Sequence, residues 1–216
     1  MIVLPNASAG APMTRDTTDA LLFDLGNVVF DLDFNLVVAR WAAHGACDET
    51  LIRERFRMDD AYRRHERGEI DDDAYFTGVR AMLGIDISNA QLLDGWNAIY
   101  VGEMPGMADL LARAAQNFPL YAFSNTNRAH RQYWSVRFAE ILSYFRDVYA
   151  SSTIGLRKPD AEAFAHVVGA IGVPAERIVF FDDIYENIEG ARACGLQTVH
   201  VTSVADVANA LAALDR

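Results

Sequence analysis

The amino-acid sequence predicts an α/β protein, a doubly wound, Rossmann-like parallel sheet with an all-helical segment inserted after its first strand. Four short runs, Ala20–Phe23, 120–123, 148–150 and 178–181, are continuously apolar and close on polar or small residues, as strands buried on both faces do. From residue 118 onward such runs alternate with segments of helical period, the pattern of β-α-β units. The stretch 36–102 differs, with helical periodicity, many charges and no convincing strand.

In chain order, residues 1–18 are small and polar and read as a disordered tail, with Met13 an alternative natural start. The opening Met1-Ile2-Val3-Leu4 is too short for a signal h-region and has no basic segment before it. After the strand at 20–23, the helical stretch 36–102 reads as a cap, which leaves 19–35 and 103–216 as the core. A helix over 105–117 opens on Pro105, a residue suited to a first turn. Helices follow over 128–145 and 159–172, the latter with Gly172 as its stop. A weaker strand is predicted at 198–201. The last helix has the apolar stripe Val204, Val207, Ala208 and Leu211 and a Ser203/Asp206 cap.

With 51 % apolar and 23 % charged residues, the chain has the composition of a globular enzyme rather than of a disordered segment. Its 19 basic and 30 acidic residues leave a net charge of −11, which argues against a nucleic-acid partner. A small phosphorylated metabolite is still compatible, because a metal, a lysine and backbone amides can meet its charge locally. Cys47 and Cys194 lack metal-like spacing and read as free thiols in a reducing compartment. No apolar run approaches the roughly 18 residues of a membrane span, so a cytoplasmic location with no membrane partner is expected.

Ligands of an open parallel sheet bind outside the carboxyl ends of its strands. Asp24-Leu25-Gly26-Asn27 follows the first strand, Ser124-Asn125-Thr126-Asn127 the second, Arg157-Lys158-Pro159 comes after the third, and Asp182-Asp183 follows the fourth, with Asn187 beyond. Carboxylates, a hydroxyl, amides and a lysine thus converge on one edge. Phosphoryl transfer through an aspartyl-phosphate needs this set: a carboxylate nucleophile, oxygen ligands for Mg²⁺, and donors for the equatorial oxygens. Asp24 is the expected nucleophile and Lys158 its catalytic partner. Ser124, Asn125 and Lys158 are expected to bind substrate; Asp24, Asp183, Asp182 and the Gly26 carbonyl are expected to hold Mg²⁺.

In order and spacing, Phe23-Asp24-Leu25-Gly26-Asn27-Val28-Val29, Ser124-Asn125-Thr126, Lys158-Pro159 and Phe180-Phe181-Asp182-Asp183 resemble the four motifs of the haloacid dehalogenase superfamily over residues 20–202. Together with His65-Glu66-Arg67-Gly68-Glu69-Ile70 they look like a narrower group that contains the α-D-glucose-1-phosphate phosphatases. The resemblance implies a helical cap, Mg²⁺ dependence and hydrolysis of a sugar phosphate, with His65 in a cap segment that can face substrate. One position departs from the family pattern. Where most superfamily phosphatases have a second aspartate as general acid, this chain has Gly26. A sugar C1 oxygen is a better leaving group than an ordinary alkoxide, so a hexose 1-phosphate suits such a site.

Several residues also have a plainer reading. Asp31-Leu32-Asp33 offers a rival nucleophile register, but Phe34 and Asn35 do not fit the motif, so these aspartates read as hydrating the link to the cap. Asp182 and Asp183 can cap a turn, Ser124 and Asn125 a helix, and Asn187 either a helix or the metal site. Trp41 and Trp96 read as cap core, and His65 can belong to a solvated charged face. Two other functions compete. A 2-haloacid dehalogenase needs neither the second aspartate nor a metal, though Asp182 and Asp183 would then repel its anionic substrate. A non-catalytic sugar-phosphate-binding member would be expected to have lost Asp24 or Lys158.

Overall fold

The structure, a computed structural model, describes residues 13–215. Residues 1–12 of the expected tail lie outside the described residues. The rest of that tail is a correction: Arg15–Thr17 form a 3-10 turn closed by reciprocal side-chain and backbone bonds between Thr14 and Thr17. Thr18 is buried, and the Gln197 amide donates to the Thr17 carbonyl at 2.8 Å, which fastens the segment to the core.

Among the described residues seven strands and twelve α-helices follow: β1 (Ala20–Phe23), β2 (Phe30–Leu32), α1 (Phe34–Gly45), α2 (Glu49–Arg55), α3 (Asp60–Glu66), α4 (Asp72–Leu83), α5 (Asn89–Asn97), β3 (Tyr100–Glu103), α6 (Met107–Ala114), β4 (Leu120–Ser124), α7 (Arg128–Arg137), α8 (Ala139–Leu142), β5 (Asp147–Ala150), α9 (Ser151–Ile154), α10 (Ala161–Ile171), β6 (Ile178–Asp182), α11 (Tyr185–Ala193), β7 (Gln197–His200) and α12 (Val204–Leu214). Five strands form one sheet in the order β5-β4-β1-β6-β7, every pairing parallel. The order reverses beside β1, and Asp24 and Asp182 emerge there at the carboxyl ends of β1 and β6. Crevices at such switch points are where open sheets bind ligands.

Side chains alternate between the two faces of the sheet, and each face has its own helices. Leu21 and Phe23 share a core with Met107, Leu110 and Leu111 of α6 and with Val207 and Leu211 of α12. Ala20 and Leu22 meet Ala163, Phe164 and Val167 of α10 and Ile188 of α11 on the other face. Burial of each large apolar side chain contributes about 1.5–3 kcal/mol, so β1, with no exposed residue, is held from both sides. The Ser203/Asp206 capping box forms at the start of α12, and Gly172 ends α10 in the left-handed conformation. The predicted helix over 128–145 is instead two, broken at Phe138, whose ring stacks on Phe30 with centroids 4.5 Å apart.

Helices α1–α5 enclose a separate apolar core containing Val38, Trp41, Phe76, Leu92 and Trp96, with the two indoles stacked at 5.7 Å. The chain enters and leaves these helices through β2 and β3, a short antiparallel pair. β3 lies where the sequence offers no strand signal, because only Tyr100 of its four residues is buried and no continuous apolar run marks it. Asp31 pairs within this ribbon, and Asp33 caps α1 by accepting the Asn35 amide at 2.8 Å. Among the described residues no helix is long and apolar enough to cross a membrane.

Candidate active site

β1 delivers Asp24 into a loop whose geometry is set by its next residues. Asn27 has a left-handed backbone (φ 53°), which asparagine tolerates better than most residues, and its amide donates to Asp183 Oδ2 at 3.0 Å. Gly26 bridges back to Phe30, and a Cβ on it would lie 2.9 Å from Leu32 Cδ1. The position of the absent second carboxylate is therefore bordered by the end of an apolar side chain.

Lys158 reaches the same point with its ammonium buried. Its Nζ donates to Asp24 Oδ1 at 2.8 Å and to Asp182 Oδ2 at 2.7 Å, and lies 5.3 Å from the centroids of both Phe123 and Phe180. Asn125 holds the lysine's main chain from two sides, donating to the Lys158 carbonyl and accepting its amide, each at 2.9 Å. Asp182 Oδ1 accepts from the Ile184 amide at 2.8 Å and from Asn187 Nδ2 at 3.0 Å. Carboxylate oxygens of Asp24, Asp182 and Asp183 all lie within 4.8 Å of one another.

Burial pushes the Asp24 carboxyl up to about 7; the Lys158 cation pulls it back, while the Asp182 and Asp183 charges add to the rise. Burial opposes the Lys158 ammonium, but Asp182 and Asp24 outweigh it and hold its pKa above the ordinary value. Asp183 is raised by burial and moderated by the Asn27 hydrogen bond. Three carboxylates around one ammonium leave excess negative charge at the mouth of the crevice, which favours a cation there.

The profile of the haloacid dehalogenase-like hydrolases matches residues 18–195. The chain belongs to this family. An enolase-phosphatase E1 of Stenotrophomonas maltophilia is 30 % identical over 155 residues, 71 % of this chain and 62 % of that protein, so the chain spans about three fifths of that relative's length. A D-ribitol-5-phosphate phosphatase of Bacteroides thetaiotaomicron is 21 % identical over 86 % of this chain and 93 % of its own. Among solved structures, a family enzyme of the same organism, in complex with magnesium and inorganic phosphate, superposes with a TM-score of 0.76 at 28 % identity, covering 86 % of this chain and 95 % of that one.

In this haloacid dehalogenase-like hydrolase the crevice opens into a cavity of about 370 Å³ between the sheet edge and helices α3 and α5. Asp24, Gly26, Ser124, Asn125, Lys158 and Asp183 line it, six of the eight residues singled out from the sequence. Asp182 lies beneath, wholly buried, with both oxygens engaged by protein donors. Its surroundings suit a support for Lys158, while Asp183, favoured from the sequence as the direct ligand of the pair, faces the cavity.

His65 is a correction. It is 1 % exposed, its ring stacks on Tyr75 at 4.1 Å, and its Nε2 is 2.8 Å from Asp72 Oδ1. It does not line the cavity. Its neighbour Glu66 does, together with Arg157, whose NH2 is 2.9 Å from Glu66 Oε2. The only sequence signal for this pair is that Glu66 lies in the quoted His65-Glu66-Arg67 segment and Arg157 precedes Lys158. Asn127, rather than Ser124 or Asn125, caps α7 by accepting the His130 amide at 2.9 Å.

Proposed function

We propose that the chain is a Mg²⁺-dependent phosphatase of a small phosphorylated metabolite, with Asp24 receiving the phosphoryl group. The observation that carries this reading is the buried Lys158 ammonium bonded to Asp24 beside a cluster of carboxylates at the switch point. Hard oxygen donors of this number suit Mg²⁺. Asp24 and Asp183, with the Gly26 carbonyl and water, would hold the ion. When bound, Mg²⁺ supplies positive charge to the nucleophile and to the phosphate. The chain's own groups do the rest. The Asp24 carboxylate attacks phosphorus from a position fixed by the Phe181 carbonyl, which accepts the Asp24 amide at 2.8 Å. Lys158 keeps that carboxylate oriented and offsets charge on the equatorial oxygens, towards which Ser124 brings a hydroxyl donor. Asn125 acts on the lysine's main chain rather than on the phosphate.

The finer reading is a hexose 1-phosphate. With Gly26 and Leu32 beside Asp24 no acid adjoins the nucleophile, and the anomeric oxygen, the sugar oxygen that leaves most readily, depends least on a proton from elsewhere in the cavity. Helices α1–α5 act as a cap that keeps bulk water from the cavity. The phosphatase names of the relatives, and magnesium and phosphate in the similar structure, support the coarser reading. Phosphate release from paired hexose 1- and 6-phosphates, with Mg²⁺ and with EDTA, tests both levels. Faster turnover of the 1-phosphate and silence in EDTA are expected. A preference for the 6-phosphate would sink the finer reading, and EDTA-resistant turnover would sink the metal reading.

A further inference from the structure

We infer that Glu66, at the carboxyl end of α3, is the proton donor to the leaving oxygen in place of the acid missing at Gly26. The inference rests on the phosphatase reading. Its first support is the make-up of that wall: Gly26 has no side chain and its neighbour there is the apolar Leu32, so the proton must come from another wall of the cavity.

The other ionisable groups lining the cavity are accounted for. Asp24 and Asp183 belong to the carboxylate cluster, and Lys158 is held between Asp24 and Asp182. Arg157 is paired with Glu66 itself. Tyr62 and Tyr100 are pushed up by burial, away from the range of a useful acid. His130 is neutral, with Nε2 3.0 Å from the Trp96 carbonyl and Nδ1 3.3 Å from Asn127. Glu66 remains.

Glu66 is 3 % exposed and lines the same cavity as Asp24. Burial raises its carboxyl, moderated by Arg157, the Tyr62 hydrogen bond and the more distant Lys158 charge; Tyr75 is the other titratable side chain close enough to interact with it. Its main chain is pinned, because its carbonyl accepts the Ser151 hydroxyl at 2.7 Å. Gly68, two residues on, adopts φ 69°, and a Cβ there would lie 2.5 Å from the Ser152 carbonyl oxygen. Arg157 Nε and NH2 both contact Glu66 Oε2, at 3.0 and 2.9 Å. The second oxygen can carry the proton.

The Glu66 O–H gives its proton to the bridging oxygen as the phosphorus–oxygen bond breaks and Asp24 takes the phosphoryl group, releasing the alcohol. The Glu66 carboxylate, steadied by Arg157, then accepts a proton from the water whose oxygen attacks the aspartyl-phosphate. Orthophosphate leaves, and both carboxyl groups return to their starting states.

The test measures kcat/KM for Glu66→Gln and the parent on 4-nitrophenyl phosphate, whose leaving group needs no proton, and on a hexose 6-phosphate, whose leaving group does. A loss on the order of 10²–10⁴-fold on the 6-phosphate, with less than about tenfold change on the aryl ester, is expected. The parent's decline in kcat on the 6-phosphate as pH rises should disappear in the variant. Arg157→Gln, which removes the cation that steadies the Glu66 carboxylate, should likewise lower the 6-phosphate more than the aryl ester. Equal losses on both substrates in Glu66→Gln, or no loss on either, would overturn the assignment of Glu66 and leave the phosphatase reading intact. A parent inactive on every phosphate would overturn the reading itself.

Discussion

Lys158→Met removes the ammonium and keeps most of the volume. Two buried carboxylates, Asp24 and Asp182, then face each other without the cation that bonds to both at 2.8 and 2.7 Å. Breaking a buried ion pair from one side costs about 3–5 kcal/mol, because the partner charge stays desolvated. For a chain of this size each kcal/mol moves Tm by about 2–4 °C, so a fall of roughly 6–20 °C is expected in the metal-free protein. Turnover should fall by at least about 10²–10³-fold, since the lysine also meets charge on the transferring phosphoryl group. A second substitution separates these effects. Asp182→Asn in the Lys158→Met background replaces the unpaired charge by an amide that still accepts from Ile184 and Asn187, so much of the stability should return while turnover stays absent. Calorimetry in EDTA and a phosphate-release assay read the two quantities. A Tm for Lys158→Met within about 3 °C of the parent, or a double variant less stable than the single one, would refute the reasoning.

Gly26→Asp meets only the movable end of Leu32, so urea unfolding should stay close to the parent's, while turnover on alkyl phosphates should rise with an acid beside Asp24; a fall in that turnover would count against the reading. Burial holds the His130 pKa down to about 3 against an ordinary 6.5. The unfolded chain therefore binds a proton between those values that the folded one refuses, and stability should fall by up to about 1.4 kcal/mol per unit as pH drops from 6.5. His130→Gln should flatten that slope by one proton in denaturant titrations across the same range. Gly68→Ala, set against the Ser152 carbonyl in a left-handed turn, should destabilise by about 1–3 kcal/mol in urea unfolding; an unchanged midpoint would mean that the close approach is not maintained.

The sheet and the site edge were legible because they rest on local signals. A parallel strand buried on both faces must be continuously apolar, and chemistry must follow its carboxyl end, so Asp24, Ser124 and Asp183 could be named from their place after such runs. Other features depend on contacts the linear order does not contain. His65 and Glu66 are neighbours on α3, about 100° apart around the helix, and only the packing of Tyr75 against the histidine decides which one turns to the cavity. The β2–β3 ribbon is too short for its alternation to stand out. Asn125 reads as a phosphate ligand because it follows a strand; that its side-chain amide also pairs with a peptide 33 residues away is not visible in the linear order. Asp182 and Asp183 are equivalent as letters and differ by whether the strand still runs through them.

That amide has a consequence for how tolerances are distributed in the molecule. By pairing with both the N–H and the C=O of Lys158, the Asn125 side chain acts as one extra rung of sheet ladder, extended from the end of β4. The lysine is thereby referenced to the rigid centre of the sheet rather than to the loop that carries it. Apart from Arg157 and Lys158 themselves, the loop between α9 and α10 can then drift in sequence without shifting the ammonium from Asp24. The position that cannot drift is 125, because only a primary amide offers one donor and one acceptor at that reach, and glutamine is a methylene too long.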